Sequence, residues 1–367
     1  MDKVRKDGFL NTVLRITASL LAGGCASIGP RSIEKVHYEY NTAIAKTADE
    51  QLLLNIIRLK YRDNPYFLEV SSIAENRKFT TRIGTGGTEF GLVKNANEHK
   101  LALTAYSEVF QNPTITYTPL RGEQFTQRIV SPIPLGVVLS LIQAGWDVGR
   151  VFNLCVERIN SLDNASSASG PTPTQKPVYE SFAEAVSIID ALYKQDRLAI
   201  GLDTENQKKL VIKLMNADSQ SQKLKAILGL NPNKNEFYFT SNFLDVNNSG
   251  LVVRTRSIME VLFYLSHAVT VSREDIDGGF VTETKDETGA VFHWNEHLSG
   301  DWITVSSSEA SKCPPNAFVR VLYRGKWFYI ADNDLNSKST FMFLTYLFNL
   351  QSGDSKAFIP SLIISAN

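Results

Sequence analysis

The sequence predicts an α+β fold with mixed and antiparallel sheets, two α+β regions and one long glycine-containing β-hairpin. Three observations predict it. Leu52, Leu53, Ile56, Ile57 and Leu59 recur at helical spacing; the runs Thr80–Val93 and Lys100–Phe110 are β-prone and glycine-containing; and Phe318–Ala331 followed by Ser337–Leu350 reads as a hairpin and then a helix.

Each element has its own signal. Thr47 with Glu50 three residues on reads as a capping box that opens the first helix, and Asp63-Asn64-Pro65 stops it. Arg58, Lys60 and Arg62 fall late in that helix, where cations suit the dipole, so a solvated basic end is expected. Phe67, Leu68, Val70 and Ile73 make a strand, and the hairpin 79–118 follows around Asn95-Ala96-Asn97-Glu98. In its second run Leu101, Leu103, Ala105, Ser107 and Val109 share one face. The expected form is an antiparallel sheet packed on helices; the alternative is a protruding hairpin that assembles with copies of itself or with a membrane.

Pro132-Ile133-Pro134 opens an apolar helix over Leu135–Ala144 ended by Gly145, and Val151–Ile159 follows as strand or helix. Leu162–Pro177 is a low-complexity stretch that reads as a linker. After it come a helix at Ser181–Lys194, strands at Leu198–Leu202, Lys209–Leu214 and Glu236–Phe243, strand then helix across Leu251–Val269, and a last strand Ile359–Ile364. This divides the chain into a leader at 1–24, an anchor and tether at 25–46, an N-terminal α+β domain at 47–162, a linker at 163–177 and a C-terminal α+β domain at 178–367.

The leader carries an address. Lys3, Arg5, Lys6 and Arg15 precede the apolar run Ile16–Leu21, and Leu21-Ala22-Gly23-Gly24-Cys25 ends in small residues. This resembles a bacterial lipoprotein signal peptide, which implies that the Cys25 thiol takes a diacylglycerol and becomes the new N-terminus. The apolar run is too short to span a bilayer. Ala26 and Ser27 follow in place of the aspartate that retains many lipoproteins in the inner membrane, so the resemblance implies an outer-membrane lipoprotein. The phrases Asp49-Glu50-Gln51-Leu52-Leu53-Leu54-Asn55, Asn112-Pro113-Thr114-Ile115-Thr116-Tyr117, Ser131-Pro132-Ile133-Pro134-Leu135 and Tyr323-Arg324-Gly325-Lys326-Trp327-Phe328-Tyr329-Ile330 resemble an uncharacterised family of Gram-negative envelope proteins. That resemblance implies a compartment and no activity.

Composition narrows the partners. Hydrophobic residues make up 43% of the chain, enough for a core. Loss of residues 1–24 removes four basic and two acidic residues from 38 of each, leaving a formal charge of −2. No basic face is implied, and nucleic acid is not an expected partner. Cys155 and Cys313 could pair in an oxidising envelope or remain as core thiols.

Motifs for chemistry are sparse. His293-Trp294-Asn295-Glu296-His297 fits the pattern of an inverted zinc peptidase, but neighbouring Gly289, Gly300 and aromatic residues favour a hairpin with surface histidines over a metal site. Asp332-Asn333-Asp334-Leu335-Asn336 alternates oxygen ligands like a calcium loop, yet Ser337 and Phe343 occupy the glycine and closing-glutamate positions, so helix capping by Asn336 is expected. Neither a catalytic residue nor a cofactor is assigned. The expected role is a non-catalytic, lipid-anchored structural or interaction component of an outer-membrane-associated assembly. Its contacts are the membrane, through the lipid, and an envelope protein or further copies of itself. Arg324, Trp327, Tyr329, Asp332 and Asp334 are the expected interaction surface, aromatic and arginine side chains being common anchors. Two alternatives stand: a self-assembling ring or pore subunit built on the hairpin 79–118, and an envelope hydrolase using those same five residues.

Overall fold

A computed structural model of the chain describes residues 30–85, 103–203, 209–241, 250–298 and 302–352. The leader, Cys25, the centre of the hairpin at 86–102 and the expected strand Ile359–Ile364 lie outside the described residues. Helices with antiparallel and mixed sheets place the fold in the α+β class. The chain forms two compact units, one of residues 66–121 and one of the segments on either side of it.

Helix α1, Pro30–Lys60, opens the larger unit. It starts well before the capping box, and Thr47 lies in its interior, where the hydroxyl donates to the Ala43 carbonyl at 2.7 Å. The expected start at Thr47 is therefore corrected: a threonine one turn before a glutamate also satisfies itself inside a helix by bonding back to the preceding turn. Residues 41–43 and 45–48 are exposed, whereas Leu53, Ile56, Ile57 and Leu59 are buried. Lys60 is buried too, which corrects the solvated basic end. Arg62, at φ 61°, turns the chain out of the helix.

The smaller unit consists of β1, Leu68–Thr85, paired antiparallel with β2, Leu103–Pro119. Three helices then follow in the larger unit: α2, Glu123–Val130, α3, Leu135–Gln143, and α4, Val148–Cys155. The Asp147 carboxylate caps α4 by accepting from the Arg150 amide at 2.9 Å. Strand β3, Val156–Ile159, continues directly from α4, so the segment the sequence left open is first helix and then strand.

The stretch 162–177 is a packed part of this unit and not a linker. It contains β4, Leu162–Asp163, and a single 3-10 turn at Ser166–Ala168. Asn164, Ala165, Ala168 and Thr172 are buried, and the backbone is tied by Ala165 N to Val178 O at 2.9 Å and Lys176 N to Lys285 O at 2.8 Å. Small polar residues read as flexible in sequence because nothing local fixes them; here distant groups use them as hydrogen-bond partners.

Next come α5, Glu180–Lys194, β5, Leu198–Asp203, β6, Lys209–Leu214, α6, Ser219–Leu228, β7, Glu236–Thr240, β8, Gly250–Thr255, and α7, Ile258–Ser266. Helix α6 is absent from the sequence reading, although Asp218 caps its start and Gly229, at φ 66°, closes its end. Strands β3 to β8 form a six-stranded sheet in the order β4-β3-β8-β7-β6-β5, antiparallel except for β7 beside β8. Ile212, Leu214, Phe237, Phe239, Leu251 and Val253 are buried. Alternation along the strands puts the buried positions of each on one face. A cavity of about 10 Å³ beneath α3, lined by side chains such as Leu139, Phe152, Phe239 and Val253, has room for one water at most and is wholly apolar.

Short helices α8, Arg273–Asp277, and α9, Trp294–His297, lead to a second sheet of β9, Ser306–Glu309, β10, Ala317–Tyr323, and β11, Lys326–Ala331, in the order β10-β11-β9. Helix α10, Leu335–Ser352, follows. The buried end of α1 packs against α7 and β10.

One side chain ties the junction of α4, β3, β4 and α7. Arg256 is fully buried, with its guanidinium 4.3 Å from the Tyr264 ring centre. It donates to the carbonyls of Asn153 at 2.8 Å, Leu154 and Val156 at 3.3 Å each, and Asn164, and to the Ser169 hydroxyl at 3.1 Å. Asn153 and Leu154 lie in the last turn of α4, whose end leaves carbonyls without helical partners, while Val156 opens β3 and Asn164 follows β4.

Candidate functional site

The five residues of the expected interaction surface occupy three different places. Arg324 and Gly325, at φ 48° and 77°, form the two-residue turn between β10 and β11, as a tight hairpin of this hand requires. The Arg324 guanidinium lies between two aromatic rings, 5.0 Å from the Tyr61 centre and 4.8 Å from that of Phe280, with Asp63 at 3.7 Å. The Tyr323 hydroxyl donates to Asp63, and the Tyr61 hydroxyl donates to Asp275 at 2.8 Å. Burial first, and then the carboxylate each one faces, push both phenols above their ordinary range. They are held as protonated donors, and Asp63 balances the guanidinium. Such a cluster holds the β10–β11 turn in place.

Trp327 and Tyr329 alternate with buried Phe328 and Ile330 along β11, which puts the first two on the other face of the sheet. Trp327 donates its indole N–H to the Ala310 carbonyl at 3.1 Å, and register sets it opposite Leu322, which is 54% exposed. Asp332 pairs with Lys338 at 2.7 Å. Asp334 caps α10, accepting from the Ser337 amide at 3.0 Å, so Asp334 and not the expected Asn336 is the capping residue. Asn336 instead accepts from Arg150 through its carbonyl at 3.1 Å and its side-chain oxygen at 2.6 Å, tying α10 to α4.

His293 and His297 are exposed, and the expected hairpin around them is the single turn of α9, capped at one end by His293. Among the described residues no group of three or more His, Cys, Asp or Glu is placed to hold a metal, and no helix is long and apolar enough to cross a membrane. Cys155 is buried and Cys313 exposed, each as a free thiol. Burial pushes the Cys155 thiol up to about 12. In protein carrying Cys25→Ser, a thiol reagent at pH 8 should therefore modify Cys313 within minutes and Cys155 only on unfolding; two thiols reacting at similar rates in the folded protein would contradict this assignment.

One feature escaped sequence reasoning, and a second was read only in part. The first is a buried pair of basic groups. The His267 ring centre lies 4.4 Å from that of Trp294, the planes tilted by 33°; its Nε2 lies 2.9 Å from the Ala168 carbonyl and its Nδ1 3.2 Å from the Thr172 hydroxyl. A carbonyl only accepts, so Nε2 carries the proton and Nδ1 accepts from Thr172. Burial, with the charge of nearby Lys60 second, pushes His267 down to about 3, and burial alone pushes Lys60 down to about 8.

The second feature is the β1–β2 ribbon. Its strands of 18 and 17 residues run in register from Leu68–Pro119 to Thr85–Leu103, with a bulge between Val70 and Ser72. At about 3.3 Å per residue it is about 60 Å long. Leu68, Ile73, Ile115 and Tyr117 are 37%, 37%, 38% and 46% exposed, and Glu69, Ser72, Thr116 and Thr118 are exposed as well. The expected sheet packed on helices concerns mostly residues whose side chains lie outside the described ones; among ribbon side chains 68–73 and 114–119, exposed positions occur on both faces. The alternation in 103–109 hinted at this, but whether a face is covered is not a local property. Comparison with protein-family models, with curated proteins and with solved structures finds no significant match. Isolated two-stranded hairpins are marginal in water, and open edges are templates for pairing.

Proposed function

We propose that this protein is a lipid-anchored structural component of an outer-membrane-associated assembly, held to the membrane through Cys25 and joined to protein partners through the ribbon of residues 66–121. The open ribbon carries this reading: a long pair of strands that forms a sheet of two among the described residues, with exposed isoleucine and tyrosine, is expensive to maintain unless something covers it. The lipoprotein-like leader supports the anchor, and the clamped, carboxylate-bound tyrosines around Arg324 support recognition over catalysis.

The test is the mass of protein extracted from envelopes in mild detergent, measured by size exclusion with light scattering, beside Cys25→Ser and a deletion of Gly84–Glu108. The full chain should run as a large assembly, Cys25→Ser should leave the membrane fraction, and the deletion should leave a folded protein of monomer mass. A monomer in every case, with no protein co-purifying, would overturn the proposal.

A further inference from the structure

We propose that the partner of the ribbon is the same ribbon of a second copy, joined head to tail, with the outer edge of β2 pairing with the outer edge of β1 in the next molecule. This rests on the assembly reading above and specifies who the partner is and which edges meet.

Three properties of the described backbone lead there. First, apolar positions are denser on one face. Ile73 is opposite Ile115, Phe79 opposite Val109, Ile83 opposite Ala105 and Thr85 opposite Leu103, and these pairs share one parity with the more polar Glu75–Pro113, Arg77–Gln111 and Thr81–Ser107. Pairs of the other parity are Ser72–Thr116, Ala74–Thr114, Asn76–Asn112, Lys78–Phe110, Thr80–Glu108, Arg82–Tyr106 and Gly84–Thr104, where Ala74, Phe110 and Tyr106 are the apolar or aromatic members. Neighbouring ribbons joined edge to edge would carry these two faces on as a continuous two-faced sheet, whereas a one-residue slip would mix them.

Second, the two edges differ in charge. β1 carries Arg77, Lys78 and Arg82 against Glu69 and Glu75, while Glu108 is the one charged residue of β2. The first strand is net positive and the second net negative. Pairing β2 to β1 places opposite charges side by side; pairing β1 to β1 doubles the cations.

Third, head-to-tail joining satisfies both edges with one repeated contact, whereas like-edge joining needs two different contacts to do so. Two ribbons joined by like edges form a closed dimer that still exposes two strands. Head-to-tail joining is heterologous, uses both edges of every copy, and closes when the rotation between copies completes a ring. A ring of such ribbons is a barrel without edges.

Disulfide trapping tests the pairing. Ser72 of β1 and Thr116 of β2 are both exposed, and near Thr116 lie the exposed Thr114 and Thr118. In a Cys313→Ser background, Ser72→Cys, Thr114→Cys, Thr116→Cys and Thr118→Cys are made singly, purified in detergent and oxidised alone or as equal mixtures with Ser72→Cys. Circular dichroism matching the parent verifies the fold of each. Head-to-tail pairing gives covalent dimers in at least one mixture, several-fold above either single variant alone. Single variants that dimerise with themselves as well as any mixture does would overturn it in favour of like-edge pairing. A large light-scattering mass with no trapping in any mixture would overturn this pairing and leave the assembly reading standing; a monomeric mass would remove both.

Discussion

Arg256→Met should cost the larger unit about 3–5 kcal/mol, the range for removing one partner of a buried charged network. The methionine approximates the volume but returns none of the donors. The carbonyls of Asn153, Leu154, Val156 and Asn164 and the Ser169 hydroxyl all lose a buried partner at once. Asn164 keeps its own bonds to the Asn153 and Val156 carbonyls, at 2.9 and 2.6 Å, so the loss is partial for those two. For a unit of this size the change corresponds to a fall in Tm on the order of 10 °C. Arg256→Lys should recover little, because an ammonium cannot span acceptors that a planar fork reaches from three nitrogens. A thermal midpoint within about 2 °C of the parent for Arg256→Met would contradict this role.

Lys60→Met should act in the opposite direction. Lys60 is 6% exposed and, with its folded-state value near 8 against an ordinary 10.5, is charged at neutral pH at a desolvation cost. At 1.36 kcal/mol per unit, that displacement is worth about 3 kcal/mol, and methionine should restore that amount at pH 7. The pH dependence fixes the sign. Between 8 and 10.5 the unfolded chain holds the Lys60 proton that the folded protein has released, so parental stability rises with pH through this window. The advantage of Lys60→Met is therefore full below pH 8 and shrinks toward zero by pH 10.5. His267 governs the acid side. Its folded value near 3 lies below the ordinary 6.5, so the unfolded chain binds the extra proton and stability is lost as pH falls from 6.5 toward 3. Denaturant unfolding of parent and Lys60→Met at pH 5, 7 and 10 would show both slopes, and a gain unchanged between pH 7 and 10 would sink the assignment to charge.

Legibility in the sequence followed how local each cause was. The helix at α5 and the hairpin of β10 and β11 were readable because period and turn residues agree over a dozen neighbours. Strand β9, Ser306–Glu309, was not, since three serines carry no β signal and its place is set by pairing with β11. The polar stretch 162–177 misled for a related reason: Asn164 and Thr172 are satisfied by Arg256, His267 and their neighbours, 92 to 95 residues away. Arg324 could be named from its turn, but the rings that hold it, Tyr61 and Phe280, belong to distant segments. The depressed pair Lys60 and His267 left no local signal at all. Lys60 read as an ordinary cation at a helix end, and only burial reverses that meaning.

Helix α1 changes what the lipid at Cys25 would do. A polar tether would let the folded body drift; instead, the helix begins five residues after that cysteine, and among its described side chains, from residue 37 on, the first buried one is Leu53. The preceding 23 residues, Pro30–Leu52, make a strut of about 35 Å at 1.5 Å per residue. A strut transmits phase as well as distance: adding one residue would swing the body by about 100° about the helix axis, while adding seven would lift it by about 10 Å with little net rotation. An assembly that requires every subunit to face its neighbour at one azimuth should tolerate the seven-residue insertion far better than an insertion of two.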